Sequence, residues 1–248
     1  MESKLNPFMT KMLCAVLCYN NEKTIMRVIK ETNKIKNKFD IIFINDGSTD
    51  KTKKILDSFK SKIINHYKNL GYGGAVNSAI KFAKIKKYKY FAILPGDNQR
   101  YIKDLLIMYR IIKSSKLDLI IGSKYKILKN IPFHRKVGNI FFSKVAKIFW
   151  NSKINDVLSG FKIYRVNAFY KYHKYFPNNY SFDIVLSQFI SFNKINIREI
   201  PVKCRYNIHT TSMKRFFKIH KKNILFIGLM MIFDISRYYL KYKLRLII

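Results

Sequence analysis

The chain has 248 residues, 48% of them apolar, which suffices for one sizeable core and gives no reason to expect a second. Its 49 Lys and Arg outnumber its 14 Asp and Glu, and the net charge of +35 favours polyanionic partners such as nucleic acid, anionic lipid or phosphorylated substrates. A composition bias toward Lys, Ile and Asn explains the same excess, so charge alone selects no function. The three cysteines show no CxxC spacing and indicate neither a disulfide framework nor a zinc site.

The N-terminal region predicts a cytosolic protein. Residues 1–11 contain no apolar core of signal-peptide length. Cys14 and Cys18 lie in an apolar run at an even spacing, which places both on one face of a strand. We expect them to be buried, reduced thiols, as is usual in the cytosol.

The chain up to about residue 121 alternates between β-rich apolar runs and helix-length segments, which predicts an α/β fold with a mostly parallel central sheet flanked by helices. The predicted strands are Met12–Cys18, Asp40–Asn45, Ile63–Tyr67, Tyr90–Leu94 and Leu117–Ile121. The predicted helices are Glu22–Ile35, Lys51–Phe59, Gly74–Ile85 and Ile102–Lys113. Beyond Gly122 the rhythm changes, and the predicted elements are helices at Val137–Trp150 and around Phe182–Phe192 and strands at Gly160–Tyr164 and Ile195–Lys203.

Ligands of open α/β sheets bind beyond the carboxyl ends of the strands, so the turns at that edge are the candidate binding segments. After the first strand, Asn20 and Glu22 suit either a cap for the following helix or the lining of a nucleotide base pocket. After the second strand, Ser48 or Asp50 suits a helix cap. Asp46 ends that strand, and a carboxylate at the sheet edge can accept hydrogen bonds from a base.

The third and fourth turns predict phosphate and metal binding. The segment from Asn69 to Ala75 is rich in glycine, which allows close approach of a ligand at the start of a helix. It is not a dinucleotide fingerprint, because Val76 stands where the third glycine is needed. In the fourth turn, Asp97 and Gln99 supply hard oxygen ligands suited to Mg²⁺ or Mn²⁺; the alternative is that Asp97 caps the next helix.

These four turns, in this order, resemble those of family 2 glycosyltransferases with the GT-A fold, particularly the dolichol- and polyprenyl-phosphate sugar transferases. The likeness covers about Met12 to Lys214. It implies nucleotide-sugar binding by Tyr19, Asn20, Glu22, Asp46, Asn69, Gly71, Gly74, Ala75 and Asp97. It implies a metal on Asp97 and Gln99, and catalytic roles for Asp97, Lys124, Arg135, Asp156 and Asp183. The acceptor-side residues it implies are Arg135, Ser159, Gly160, Phe161, Arg205, His209 and Ser212.

Three features depart from the family pattern. Pro95 occupies the position where the metal motif usually begins with another Asp. Lys124 replaces an Arg and loses the two-pronged geometry for phosphate. Many lipid-phosphate relatives also carry transmembrane helices after the catalytic domain, and we expect none in this chain.

The resemblance assigns residues 1–215 to the catalytic domain and leaves residues 216–248 as a C-terminal amphipathic helix. The apolar run Ile224–Phe233 is too short to span a bilayer. Ile232, Ile235, Tyr239, Tyr242 and Leu246 share one helical face, whereas Asp234, Arg237, Lys241 and Arg245 share another. This helix is expected to pack on the core, lie on anionic lipid or bind a partner, and lipid binding would place the protein at the cytoplasmic face of the membrane.

The family resemblance implies a single displacement with inversion at the sugar carbon, from a nucleotide-diphosphate sugar to an acceptor. A phosphate acceptor, such as polyprenyl phosphate, is already ionised at neutral pH. A sugar hydroxyl of a growing cell-surface glycan needs a general base, for which Asp156 and Asp183 are the candidates. The rival classes are a nucleic-acid-binding protein and an inert scaffold. Because the sequence shows no Arg-rich helix, zinc spacing or RNP-type strand, no specific nucleic-acid partner is expected. The oligomeric state stays open.

Overall fold

A computed structural model describes residues 12–124, 133–205 and 224–243, with side chains undescribed at 133–136, 224–228 and 242–243. Seven strands form one sheet in the spatial order β3-β2-β1-β4-β6-β5-β7. The strands are β1 Met12–Cys18, β2 Phe39–Asn45, β3 Ile63–Asn65, β4 Tyr90–Pro95, β5 Leu119–Ser123, β6 Lys162–Arg165 and β7 Ile197–Pro201. All are parallel except β6, which pairs antiparallel with β4 and β5. The predicted mostly parallel sheet is confirmed.

The helices cover both faces of the sheet, in the manner expected from strands that are apolar on both sides. They are α1 Ile25–Asn33, α2 Thr52–Ser58, α3 Tyr72–Ile85, α4 Ile102–Lys113, α5 Phe133–Trp150, α6 Val166–Phe169, α7 Phe182–Phe192 and α8 Ile224–Lys243, with a 3₁₀ helix at Tyr170–Tyr175. Leu13 and Ala15 of β1 join the core under α3, α5, α7 and α8. Cys14 and Val16 join the separate core under α1, α2 and α4, so the alternation of one strand divides its side chains between two layers.

The reversed strand β6 matters for the site. Because it runs against its neighbours, its first residues lie at the edge where β4 and β5 end. The segment before it, which contains Asp156 and Ser159, therefore reaches the carboxyl edge of the sheet. There the Ser159 hydroxyl donates to the backbone oxygen of Gly122 at 2.6 Å, and the N–H of Gly122 donates to the backbone oxygen of Phe161 at 2.9 Å.

The C-terminal helix α8 has two apolar faces. Met231 and Tyr238 are buried in the core beside α7. Of the predicted apolar face, Ile232 is 57% exposed and points to solvent, whereas Ile235 packs against the core. Tyr239 is 41% exposed, with its ring 5.9 Å from that of Phe192 in α7. Tyr242 and Leu246 lie outside the described side chains. Within the described ranges, no helix combines the length and the apolar content that a membrane crossing requires.

Candidate functional site

The first two turns are joined to each other by polar side chains. The Asn20 side-chain oxygen accepts hydrogen bonds from the N–H groups of Thr49 at 2.8 Å and Asp50 at 3.3 Å. Glu22 accepts from the N–H of Lys51 at 3.2 Å, and its own N–H donates to Asp50 at 3.1 Å. Asn20 and Glu22 thus do not cap α1, and their contacts tie the two turns into one wall; Asn20 is buried, whereas Glu22 is half-exposed. Tyr19 lies on this wall, partly exposed.

Asp46 is buried and organises the third turn. One carboxylate oxygen accepts from the N–H of Leu70 at 2.9 Å, and the other accepts from the N–H of Gly71 at 2.9 Å. The ring Nδ1 of His66 lies 2.6 Å from Asp46, and its Nε2 lies 2.9 Å from the hydroxyl of Ser78. Asp46 is therefore committed to the protein's own backbone. Sequence reasoning missed His66, although its position directly after β3, at the same sheet edge, is a usable signal.

The glycines of the third turn accommodate the chain itself. A Cβ on Gly73 would lie 2.0 Å from the backbone oxygen of Pro177, and one on Gly71, which has a φ of 90°, would lie 2.6 Å from that of Asn178. The N–H of Gly74 donates to the Asn178 backbone oxygen at 2.9 Å. The expectation of phosphate binding through this helix start is therefore corrected for the N–H groups of Leu70, Gly71 and Gly74, because all three are already bonded. Asn69 beside them is exposed, whereas Ala75 is buried.

The fourth turn places Asp97, half-buried, at the carboxyl end of β4. Its Oδ1 accepts a hydrogen bond from the N–H of Gln99 at 3.0 Å, which closes a tight turn before α4. Gln99 is buried, with its side-chain oxygen 3.9 Å from the sulfur of Cys204. The guanidinium of Arg205 donates to the Asn98 side-chain oxygen at 2.9 Å and lies 3.9 Å from the centre of the Tyr101 ring. An acceptor-side residue is thus brought against the predicted metal turn.

Asp156 is fully buried and positions Lys124. Its Oδ2 accepts from the N–H of Lys124 at 2.7 Å, and its Oδ1 accepts from the Asn139 amide at 2.7 Å. Glu199 in turn accepts from the N–H of Asp156 at 2.9 Å and from the N–H and amide of Asn155. The arrangement holds the residues after β5 in place, which is a positioning role rather than that of an acid open to solvent.

Asp183, at the start of α7, is paired with Lys162. The Lys162 ammonium lies 2.7 Å from Asp183 Oδ1, and it also donates to the backbone oxygen of Ser159. The phenol of Tyr72 donates to the same carboxylate oxygen at 3.4 Å. Burial raises the pKa of Asp183, and the Lys162 charge offsets that rise only in part. Tyr72 also packs against Gly160, so this buried pair links the glycine turn to the acceptor-side loop.

Two further residues at this edge escaped sequence reasoning. Arg100 is 7% exposed, its guanidinium lies over the ring of Phe161 at 5.6 Å, and its Nη1 is buried with no hydrogen-bond partner. A buried guanidinium nitrogen left unpaired is costly, and it indicates a place for an anionic ligand. The pKa of Tyr180 is raised to about 12 by partial desolvation and by its neighbours Tyr19 and Asp46, although the residue is 44% exposed. Tyr180 is thus a second aromatic side chain beside the first two turns.

Some of the predicted site lies outside the described structure. His209 and Ser212 belong to residues that are not described, and Arg135 lies in α5 without a described side chain. Apart from Asp97 and Gln99 in the fourth turn, the remaining predicted residues form two groups, which Tyr72 of the glycine turn joins through its contacts with Asp183 and Gly160. The nucleotide-side group is Tyr19, Asn20, Glu22 and Asp46 with the α3 start, and the acceptor-side group is Lys124, Asp156, Ser159, Gly160, Phe161, Asp183 and Arg205.

The donor set at Asp97 fits a weakly held divalent ion. Among the described residues, no group of three or more His, Cys, Asp or Glu side chains is arranged to hold a metal. Mg²⁺ and related hard ions are commonly bound by one or two carboxylates together with substrate phosphates, and they keep several waters. A single half-buried carboxylate suits that mode, whereas it does not suit a closed structural site.

The chain is similar in sequence to known glycosyltransferases. The model of the family described as glycosyl transferase family 2 matches residues 14–173. An uncharacterised protein of Methanocaldococcus jannaschii is 29% identical over 235 residues, which are 88% of this chain and 100% of that protein. The UDP-N-acetylglucosamine–dolichyl-phosphate N-acetylglucosaminyltransferase of Methanococcus voltae is 26% identical over 209 residues, 76% of this chain and 83% of that enzyme.

Among solved structures, glucosyl-3-phosphoglycerate synthase of Mycobacterium tuberculosis, in complex with Mn²⁺, UDP-glucose and phosphoglyceric acid, superposes with a TM-score of 0.65. The match covers 93% of this chain and 79% of that one at 14% identity. At that identity the likeness concerns the fold alone, and it confirms the GT-A fold predicted from the sequence.

Proposed function

The chain belongs to glycosyl transferase family 2, and on that premise we propose that it transfers a hexose, with inversion, from a nucleotide-diphosphate sugar to a polyprenyl phosphate of the dolichyl type. The relative from Methanococcus voltae, whose name specifies dolichyl phosphate, supports this acceptor class. The protein would act as a peripheral enzyme at the cytoplasmic face of the membrane.

One observation carries the choice of acceptor. The two acids that could serve as a general base for a hydroxyl, Asp156 and Asp183, are buried and bonded to Asn139, the N–H of Lys124 and the Lys162 ammonium. A sugar hydroxyl needs such a base, whereas a phosphate monoester, with a second pKa of about 6, is ionised at neutral pH. A phosphate acceptor therefore fits a site whose acids are engaged in positioning.

Asp97 would hold a divalent ion, Mg²⁺ or Mn²⁺, jointly with the donor diphosphate. Gln99 is buried, and its backbone N–H donates to the Asp97 carboxylate. When bound, such an ion stabilises negative charge on the departing diphosphate. The cationic residues of the chain act on the same charge. Lys124 is fixed through its backbone by Asp156, and Arg205 is fixed by Asn98 and Tyr101, so both are preorganised for phosphate oxygens.

The test is an assay of purified protein with Mn²⁺, a panel of nucleotide sugars and polyprenyl phosphate in detergent. We expect transfer to the lipid phosphate, and we expect Asp97→Asn to reduce it about 100-fold or more, since loss of charge stabilisation at the leaving group typically costs about 3 kcal/mol or more. The matched control is Asp57→Asn, an exposed acid on α2 whose carboxylate lies 2.8 Å from Lys53.

Two results would contradict the proposal. Transfer only to sugar hydroxyls would show that the acceptor class is wrong and that a base exists in the site. Equal activity in the Asp97→Asn and Asp57→Asn variants would remove the role assigned to Asp97.

A further inference from the structure

A cavity of about 450 Å³ lies between α3, the 3₁₀ helix and α8. It shares Leu70 and Gly74 with the glycine turn described above, whereas its charged walls lie outside that site. Its basic lining residues are Lys81, His173, Lys174, Arg237 and Lys241. The lining includes one acid, Asp234, which accepts a hydrogen bond from the Asn179 amide at 2.9 Å. In the part of the chain that the structure describes, the four Lys and Arg residues form no ion pair with an acid. The cavity is therefore a concave, cationic surface suited to an anion.

An apolar stripe runs along α8 beside this cavity. Leu229, Ile232, Phe233 and Leu240 are between 55% and 66% exposed, and their spacing of three, four and seven residues places them on one side of the helix. Positions 236 and 240 lie on that side of the helix. Arg237 and Lys241 each come one residue later, which places them along one edge of the stripe, where they line the cavity. The opposite side of α8, with Met231 and Tyr238, is buried in the core.

An apolar stripe bordered by cations is the composition of a helix that lies in the interface of a membrane. A soluble phosphate would satisfy the cavity but would leave the stripe in water. A nucleic acid would match the charge and would likewise leave four large apolar side chains exposed. A lipid with an anionic headgroup satisfies both surfaces at once, because its phosphate and its acyl chains lie next to each other.

We propose that the cationic cavity binds the phosphate of an anionic membrane lipid while the exposed stripe of α8 enters the acyl region of the same leaflet. This surface is distinct from the reaction centre at Asp97. It would hold the enzyme on the membrane whether or not donor and acceptor are bound.

The test is sedimentation of the full chain with vesicles in 0.1 M salt. One vesicle set is phosphatidylcholine alone, and the other contains 30% phosphatidylglycerol. The cavity variant Arg237→Gln/Lys241→Gln is expected to bind the anionic vesicles about 25-fold more weakly, since each basic residue near an anionic surface contributes about a fivefold change in affinity. The stripe variant Phe233→Ser/Leu240→Ser is expected to lose binding to a similar or greater degree.

The matched control is Lys103→Gln/Lys113→Gln, which removes two exposed charges from α4 on the other face of the sheet. It should retain nearly the affinity of the unmodified protein. A second cavity variant, Lys81→Gln/Lys174→Gln, removes charges from the other two walls, and circular dichroism establishes that each variant is folded. Donor hydrolysis in the absence of vesicles should be the same in all four variants, which separates this inference from the proposed reaction.

Three outcomes would overturn the inference. An equal loss in the α4 control would show that binding reflects the total charge of +35 rather than this cavity. Equal binding to vesicles of pure phosphatidylcholine, whose headgroup is zwitterionic, would show that the protein does not recognise lipids with a net negative charge. Binding of soluble glycerol phosphate that is abolished by the cavity variant but unaffected by the stripe variant would make the cavity a site for a free phosphate ester.

Discussion

The buried pair of Lys162 and Asp183 makes a quantitative prediction about stability. The two side chains are 1% and 8% exposed, so solvent screens their attraction little and the discount for surface pairs does not apply. Asp183→Asn leaves the Lys162 ammonium buried without a counter-charge. Lys162→Met likewise leaves the Asp183 carboxylate buried without a counter-charge. Breaking one partner of a buried pair costs about 3–5 kcal/mol.

That cost is large for a domain whose total stability is typically about 5–15 kcal/mol. For a chain of this size, 1 kcal/mol lowers Tm by about 2–4 °C, so each single variant should melt roughly 6–20 °C below the unmodified protein. The double variant Lys162→Met/Asp183→Asn buries no charge, and we expect it to recover most of the loss. Urea denaturation of the four proteins gives the coupling free energy directly.

The pair also predicts a pH dependence of stability. Burial raises the pKa of Asp183 and Lys162 offsets this only in part, so the folded state holds the proton more tightly than the unfolded chain. The carboxyl's contribution to stability is therefore complete below the unfolded pKa of about 3.9 and is lost as the pH rises through the folded pKa. Asp183→Asn should lack this component. Single variants that each cost under about 1 kcal/mol and add without coupling would refute the reasoning.

Three further predictions concern other parts of the structure. Gly73→Ala should destabilise the protein by about 1–3 kcal/mol in urea denaturation, because its Cβ would meet the backbone oxygen of Pro177. Gly138→Ala in α5, whose Cβ would have nothing within 4 Å, should be neutral or stabilising by up to about 1 kcal/mol. Equal effects of the two substitutions would show that the close approach at Gly73 is not real. Burial raises the pKa of Cys14 to about 12 and that of Cys18 further, so iodoacetamide at pH 8 should modify partly exposed Cys204 first, and early labelling of Cys14 in mass spectra would contradict the buried assignment. Arg100→Met should lower kcat/KM for the phosphate acceptor about 10- to 100-fold with little change in Tm, since its unpaired nitrogen is available for a charge-assisted hydrogen bond; unchanged kinetics would remove that role.

Local pattern in the sequence was enough for the architecture. Alternating apolar runs and helix-length segments predicted the strands, the mostly parallel sheet and its two helical layers, because burial on both faces imposes that pattern on each strand by itself. The same pattern located the four turns at the carboxyl edge, since that position follows from strand direction alone. The likeness to family 2 glycosyltransferases rests on residues within those short turns, and it is confirmed.

The roles of individual polar residues were decided by tertiary contacts. Asn20 accepts a hydrogen bond from the backbone of Thr49, and Lys162 pairs with Asp183. The glycine turn contacts the backbone at Asn178. Each of these partners is at least 21 residues away along the chain, and no local spacing encodes it.

Tertiary contacts also decided which apolar residues of α8 are buried. A helix that is apolar on more than one side has no periodicity that tells the buried face from the exposed one. Only packing against α7 determined that Met231 and Tyr238 turn inward and that Ile232 and Phe233 face out. The sequence pattern determines which helices and strands form. The contacts of each side chain are determined only when those elements pack together.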